Sequence, residues 1–137
     1  MSNEVGTLEQ LVRMLLIQEP TVNSLVSDRV HSQHFMSYDD PNMVFPLIIL
    51  DVDGGKANYG MATQKVKVEV YAYSKNSTSQ SKEIYNAVYQ KLNCARLSQD
   101  SIDMKGYSYE LNRPVSGFNT SVKCWFTMGV FYVVTAG

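Results

Sequence analysis

The first candidate for chemistry is a group of metal-ligand side chains in the first third of the chain. His31 and His34 form a His-x-x-His pair, and Asp39 and Asp40 follow shortly after it. Imidazole nitrogens and carboxylate oxygens are common ligands of transition metals. The pair has neither a cysteine nor a third ligand at a recognisable spacing, and it lies in a polar, irregular segment rather than on one helix face. We therefore interpret these histidines as surface residues and predict no metal site.

The second candidate is a pair of carboxylates after an apolar run. Leu47-Ile48-Ile49-Leu50 leads into Asp51-x-Asp53-Gly54, which resembles the nucleophile motif of haloacid-dehalogenase-type phosphatases. That resemblance implies an attack on phosphorus by Asp51, acid and base chemistry by Asp53, and Mg²⁺ held by both. The phosphatase fold needs a helical crossover after this strand, whereas here another strand follows within about a dozen residues. The alternative, in which both aspartates end a strand and begin a turn, is favoured.

Other catalytic motifs are not recognisable in the sequence. Cys94 and the scattered serines have no glycine elbow or neighbouring base, and neither glycine-rich phosphate motif occurs. We expect Cys94 and Cys124 to be reduced thiols, with Cys124 buried in a strand, although two cysteines could also form a disulfide. The sequence thus predicts a protein that is not an enzyme and that has no cofactor.

Length and composition predict one globular domain over residues 1–137. The chain is 45% hydrophobic and 18% charged, as is usual for a globular protein. Twelve basic and thirteen acidic side chains leave a formal charge of −1, which gives no global attraction to phosphate. A neutral surface past which DNA slides is still compatible with this balance. No secretory signal is visible, and no apolar run approaches the roughly 18 residues that span a bilayer.

The centre of the chain predicts two strands and a covering helix. Residues 65–73 alternate strictly between apolar and polar side chains, which is the period of a strand with one buried face. The earlier run Leu47-Ile48-Ile49-Leu50 is aliphatic and β-branched and favours a buried strand. Residues 84–92 carry apolar side chains at helical spacing. We expect this helix to cover the dry face of the sheet.

The N-terminal segment predicts a long helix and a short one. Residues 8–16 carry an apolar stripe at helical spacing, and Thr7 is the expected N-cap. Pro20 should end this helix because the residue before proline avoids helical geometry. Thr21 is expected to cap the short second helix.

The segments after the central helix predict two more strands. Residues 95–100 have the composition of a loop, residues 102–111 alternate loosely, and Asn112-Arg113-Pro114 should end that strand. Residues 120–135 are partly apolar on both faces, which is typical of a central strand, with Gly129 as an expected bulge or bend. The predicted fold class is α+β, with a largely antiparallel, possibly mixed sheet of four to five strands and two main helices packed on one face.

Surface features point to contacts with other proteins. Tyr71 and Tyr73 lie on the polar face of the central strand, and tyrosines are favoured at interfaces, although packing within the domain would explain them equally well. The loop over residues 53–63 is longer than a hairpin requires, and such loops are often functional. The residues that these features place at interfaces are Asp53, Lys56, Tyr59, Tyr71 and Tyr73.

The order of these parts resembles the tail-terminator family of long-tailed bacteriophages, also described as tail-completion or head–tail joining proteins. The resemblance covers most of residues 7–93. Its parts are a leading helix, the segment of residues 19–30 that contains Leu25-Val26 and Arg29-Val30, the strand led by Pro46, and the alternating strand followed by a helix. Two further strands complete it in outline.

The resemblance implies a structural role in a virion, with assembly in the host cytoplasm. Members of this family form a hexameric ring on the head-proximal end of the tail tube, which stops tube growth and offers a docking surface to the head connector. DNA passes through the ring without specific binding. Arg29 matches the family's arginine after the first helices, so the resemblance adds it to the expected interface residues, although a structural salt bridge or cap is the favoured explanation. The alternatives are a head-side neck or stopper protein, a small adaptor module without a viral role and, from a different class, the Mg²⁺-dependent phosphatase.

Overall fold

One mixed sheet contains every strand in the part of the chain that the structure describes. The computed structural model describes residues 4–32, 43–52, 56–57, 63–99 and 102–136. In chain order the elements are α1 (Glu4–Gln18), α2 (Pro20–Val26), β1 (Val30–Ser32), β2 (Leu47–Val52), β3 (Lys56–Ala57), β4 (Thr63–Ser74), α3 (Thr78–Leu92), β5 (Ala95–Gln99), β6 (Ile102–Asn119) and β7 (Cys124–Ala136). The predicted α+β class is confirmed, but the described residues form seven strands instead of the predicted four to five.

The strand order places the last strand at the centre of the sheet. The order is β1-β2-β4-β7-β6-β5, with the short β3 paired to β4. β1 and β2 are parallel, whereas β2–β4, β4–β7, β6–β7 and β5–β6 are antiparallel. β7 therefore has a full-length partner on each side, as the apolar character of both its faces predicts.

The main core lies between the helices and one face of the sheet, here called the inner face. β4 contributes the alternating apolar side chains of residues 66–72, and α3 covers them. α1 contacts β1 and β2 as well as β5 and β6, which lie at opposite ends of the strand order. The sheet must therefore curve around α1. No helix in the described ranges is long and apolar enough to cross a membrane.

The first two helices begin at other residues than the predicted N-caps. α3 begins after Ser77, whose hydroxyl accepts a hydrogen bond from the backbone of Gln80 at 3.1 Å. α1 begins at Glu4, so Thr7 lies inside it, and the predicted cap is wrong. α2 begins with Pro20 after an N-cap at Glu19, not at Thr21, because proline fits the first helical position, where no amide hydrogen is needed.

Four strand predictions need correction. Residues 95–99 form β5, although only Leu97 among them is buried. β6 continues through Asn112-Arg113-Pro114 because two register shifts against β7 accommodate these residues at a free edge. β7 starts at Cys124, since residues 120–123 form the turn between β6 and β7. Gly129 lies in unbroken register with β4, so the irregularity is in β6 and not in β7.

Candidate interaction surfaces

Arg29 connects the short second helix to the start of β2. Its Nε donates a hydrogen bond to the carbonyl of Pro46 at 2.8 Å, and its own carbonyl accepts one from the amide of Ile48 at 2.9 Å. Both bonds hold the chain after α2 against β2. This geometry favours a structural role for Arg29 within the domain. A contact of Arg29 with another protein stays a prediction.

The loop predicted over residues 53–63 contains β3, which pairs with the start of β4. Lys56 lies opposite Lys65 in this pair. Asp53 and Tyr59 lie outside the described residues, as does the side chain of Lys56. Their part in contacts therefore stays a prediction.

The aspartate pair is not placed on a phosphatase-like sheet. Asp51 lies opposite Glu69 in the antiparallel β2–β4 pair, and β4 is the next long strand after β2. The phosphatase motif needs a parallel neighbour reached through a helix, which the ranges between β2 and β4 that the structure describes do not contain. Asp53 lies outside the described residues.

The histidine pair is only partly described. His31 lies in β1, and burial together with the positive charge of Arg13 lowers the pKa of its imidazole, partly opposed by Asp28. His34, Asp39 and Asp40 lie outside the described residues. Within the described ranges, no group of three or more His, Cys, Asp or Glu side chains could hold a metal ion.

Tyr71 and Tyr73 lie on the face opposite the helices, here called the outer face, as strand parity predicts. Their rings stack at a centroid distance of 6.0 Å, and the Tyr71 hydroxyl donates to Glu69 at 2.9 Å. Burial and this hydrogen bond raise the pKa of Tyr71 above its ordinary value. Tyr73 is buried in a second apolar cluster with Leu47, Ile49, Val122 and Cys124. Tyr71 is thus the more accessible of the two tyrosines.

A polar seam joins α3 to β6 and β7. The Tyr85 hydroxyl donates to the Glu110 carboxylate, and burial followed by this bond raises the pKa of Tyr85. A Cβ on Gly129 would lie 1.9 Å from the Tyr85 hydroxyl oxygen. Glycine is therefore required at position 129 because an aromatic ring crosses the strand there. Helical spacing alone identifies the buried face of α3 but not this crossing.

Hydroxyl groups continue the seam towards the start of α3. Ser81 donates to the carbonyl of Thr78 at 2.9 Å, so its single hydrogen is engaged. Thr127 lies 2.9 Å from Ser81 and 2.9 Å from Ser116, which requires Thr127 to donate to Ser81 and to accept from Ser116. Ser108, also fully buried, has no hydrogen-bond partner for its hydroxyl among the described residues.

One edge of β6 is free over residues 111–119, here called the open segment. β5 pairs with β6 no further than Ser108, and the amide of Glu110 donates to the Asn93 side chain at 2.9 Å. No described strand pairs with the outward edge beyond that point. Three large apolar side chains on the open segment are exposed, namely Leu111 (39%), Val115 (57%) and Phe118 (47%). The sequence does not predict this surface, because Pro114 indicates the end of a strand.

Comparison with known proteins shows the fold. The chain is similar to a chain in a solved structure titled "Virion of native gene transfer agent (GTA) particle", with a TM-score of 0.66 and 16% sequence identity. The similarity covers 99% of this chain and 100% of that chain. No protein-family model matches this chain, and a search of curated proteins finds no match. The two chains therefore share the complete α+β fold.

Proposed function

We propose that this protein is a structural component of a phage-like virion that forms a ring on the head-proximal end of a tail tube. The observation that carries the proposal is the end-to-end structural similarity to a chain of a gene transfer agent virion. The order of elements that resembles tail terminators supports the same role. The ring stops tube growth and presents a docking surface to the head connector, and DNA passes through its centre. The protein acts by assembly and not by catalysis.

The open segment is proposed as one side of the contact between subunits. A ring needs two different patches on each subunit, since every copy meets its neighbours head to tail. Val115 and Phe118 offer apolar area on a strand edge that has no strand partner among the described residues, and such edges readily accept a partner. The second patch is proposed near the loop with Asp53, Lys56 and Tyr59. Arg29, Tyr71 and Tyr73 remain further proposed contact residues.

Analytical ultracentrifugation over a range of protein concentrations tests the ring. We expect a concentration-dependent oligomer. Val115→Asp should weaken it at least tenfold, since about 1.4 kcal/mol of lost contact corresponds to that factor. Val44→Asp is the matched control because Val44 is equally exposed, at 58%, but lies outside the open segment. A protein that stays monomeric at every concentration contradicts the proposal, and equal weakening by both variants refutes the role of the open segment.

Deletion of the gene from the genome that encodes the virion tests the position of the ring. Loss of a tail terminator should give tails of uncontrolled length, with normal heads. Tails of normal length that fail to join heads would instead support the alternative of a head-side neck or stopper protein. A magnesium-containing phosphatase assay, with Asp51→Asn as control, tests the enzymatic alternative, and we expect no turnover from either protein.

A further inference from the structure

A row of cationic and tyrosine side chains crosses four strands of the outer face. Strand register places Lys65 opposite Val134, Val134 opposite Tyr107, and Tyr107 opposite Arg96. Neighbouring strands lie about 4.8 Å apart, so the row spans roughly 14 Å from β4 to β5. Lys105 lies two residues from Tyr107 on the same face. The row thus carries three cations.

Tyrosine rings fill the space between these cations. The Lys65 ammonium lies 4.3 Å from the centre of the Tyr132 ring, and Tyr132 meets Tyr109 edge to face at 6.1 Å. Tyr109 is followed by Tyr107 at 6.4 Å, and the Tyr107 side chain is 42% exposed. A shallow groove of about 490 Å³ runs along the β5 end of the row, lined in part by Arg96, Lys105 and Tyr107. The row is therefore continuous and open to solvent.

Charge on the outer face is divided between its two sides. The carboxylates described on this face, Asp51 and Glu69, lie opposite each other on β2 and β4. Glu69 forms an ion pair with Lys67 at 3.2 Å and accepts a hydrogen bond from the Tyr71 hydroxyl, so the charge of Glu69 is balanced locally. Lys65, Arg96 and Lys105 lie on the β4–β7–β6–β5 side of this face, whereas Lys75 lies 4.9 Å from the Phe45 ring, beside the second apolar cluster. A chain of net charge −1 thus presents a local cationic row.

We propose that this row binds the phosphate backbone of double-stranded nucleic acid without reading its sequence. A duplex carries one charge about every 1.7 Å of its axis, so a row of roughly 14 Å faces several phosphates. Lysine, arginine and tyrosine side chains are all donors to phosphate oxygens. The row lies on the outer face of the curved sheet, and the described helices pack on the inner face, so none of them can enter a groove and base edges stay out of their reach. A stable protein interface is depleted of lysine, whereas lysines flank the tyrosines here, which favours a polyanion over a protein partner.

The inference goes beyond the proposed ring, which needs DNA only to pass through its centre. Three cations per subunit give a contact that is weak and easily broken by salt, so a bound duplex can still slide. The proposed ring contacts use the open segment and the loop with Lys56, and Arg96 and Lys105 belong to neither patch. Failure of duplex binding and failure of assembly can therefore be observed separately.

Fluorescence anisotropy with a labelled linear duplex of mixed sequence, about 30 base pairs long, tests this inference. Three phosphate contacts predict a roughly 40-fold loss of affinity between about 50 and 200 mM salt. The triple variant Lys65→Glu, Arg96→Glu, Lys105→Glu should lose binding at least tenfold. The control is Lys75→Glu, Lys82→Glu, Lys91→Glu, which makes the same charge change outside the row and should bind nearly as well as the wild type.

Milder variants keep the test valid if the triple variant does not fold. Lys105→Gln and Arg96→Gln are exposed substitutions, and each should reduce the salt slope by about 0.9. Three results would overturn the inference: no salt-dependent binding by the wild type, an equal loss in the control variant, or equally tight binding of poly-glutamate. The last result would indicate an acidic protein partner instead. Sedimentation of the Arg96→Gln and Lys105→Gln variants, which change neither proposed ring patch, should show the wild-type assembly, and this separates the test from that of the ring.

Discussion

The two faces of the sheet differ in how completely the chain covers them. The inner face is closed by α1 and α3, and its side chains are buried over most of the length of β4 and β7. The outer face has its own apolar cluster only around Tyr73 and Cys124, and the cationic row at its other side is open. Because its side chains alternate, β4 contributes apolar residues to the inner face and polar or aromatic residues to the outer face. The buried core therefore lies mainly on the inner face, whereas the proposed contacts with partners lie on the outer face and on the open segment.

The largest expected effect is the difference in stability between a variant of the inner core and a variant of the open segment. Phe131 is fully buried, so Phe131→Ala should lower the free energy of unfolding by about 3–5 kcal/mol. Val115→Ala removes an exposed side chain and should change it by less than about 0.5 kcal/mol. Urea denaturation at a fixed low protein concentration measures both values. A large loss for Val115→Ala in the monomer would contradict the assignment of the open segment as a surface.

The second prediction concerns the crossing of Tyr85 over β7. Gly129→Ala should cost about 1–3 kcal/mol, because the new Cβ overlaps the Tyr85 ring. Combining it with Tyr85→Ala should cost at least about 1 kcal/mol less than the sum of the single changes. Gly117→Ala is the control, since its Cβ would lie 3.3 Å from the edge of Phe126 and needs only a small shift. Additive effects at positions 129 and 85 would show that the overlap is not the cause.

Two buried serines on the inner side should respond in opposite directions. Ser81→Ala deprives Thr127 of its acceptor and should cost about 1 kcal/mol. Ser108→Ala removes a buried hydroxyl without a described partner and should be neutral or stabilise the fold by up to about 1 kcal/mol. Thermal and chemical unfolding of the two variants measure the difference. A clear loss for Ser108→Ala would reveal a hydrogen-bond partner for that hydroxyl.

The smallest expected effect is confined to alkaline pH and tests the cluster on the outer face. Burial raises the pKa of the Cys124 thiol from 9.0 to about 11, with a minor opposing contribution from Lys75. The folded state favours the neutral thiol. The contribution of this thiol to the free energy of unfolding is therefore complete below pH 9.0 and is lost as the pH rises towards 11. Under reducing conditions, the wild type should therefore lose more stability over this range than Cys124→Ala. Identical pH profiles would indicate a solvated thiol.

Sequence patterns predicted the elements with strong periodicity. The strict alternation of residues 65–73 and the apolar stripes of α1 and α3 correspond to elements in the structure. β5 was missed because only one of its five residues is buried, which leaves almost no alternating pattern. β6 was cut short because Pro114 normally ends a strand, whereas an edge strand with a bulge tolerates it. Such tolerance depends on neighbours that a local pattern does not contain.

The candidate surfaces were less predictable than the fold. The position of Tyr71 and Tyr73 on the outer face follows from strand parity, but the burial of Tyr73 depends on Val122 and Cys124, which are distant in sequence. The row of Lys65, Tyr107 and Arg96 exists only because β7 lies between β4 and β6. No spacing in the sequence indicates that order. Surfaces built across strands therefore need the sheet topology before they can be recognised.

The central place of β7 has a consequence for synthesis of the protein on the ribosome. β4 and β6 both pair with β7, and neither pairs with the other. The nascent chain emerges from the ribosome in order. The edge of β4 that pairs with β7 therefore stays unpaired until β7 has left the exit tunnel. During that interval the apolar face of β4 can be covered by the helices, but its edge has no strand partner on the side of β7. We expect chaperones that recognise exposed strands to bind this nascent chain late, shortly before it completes its sheet.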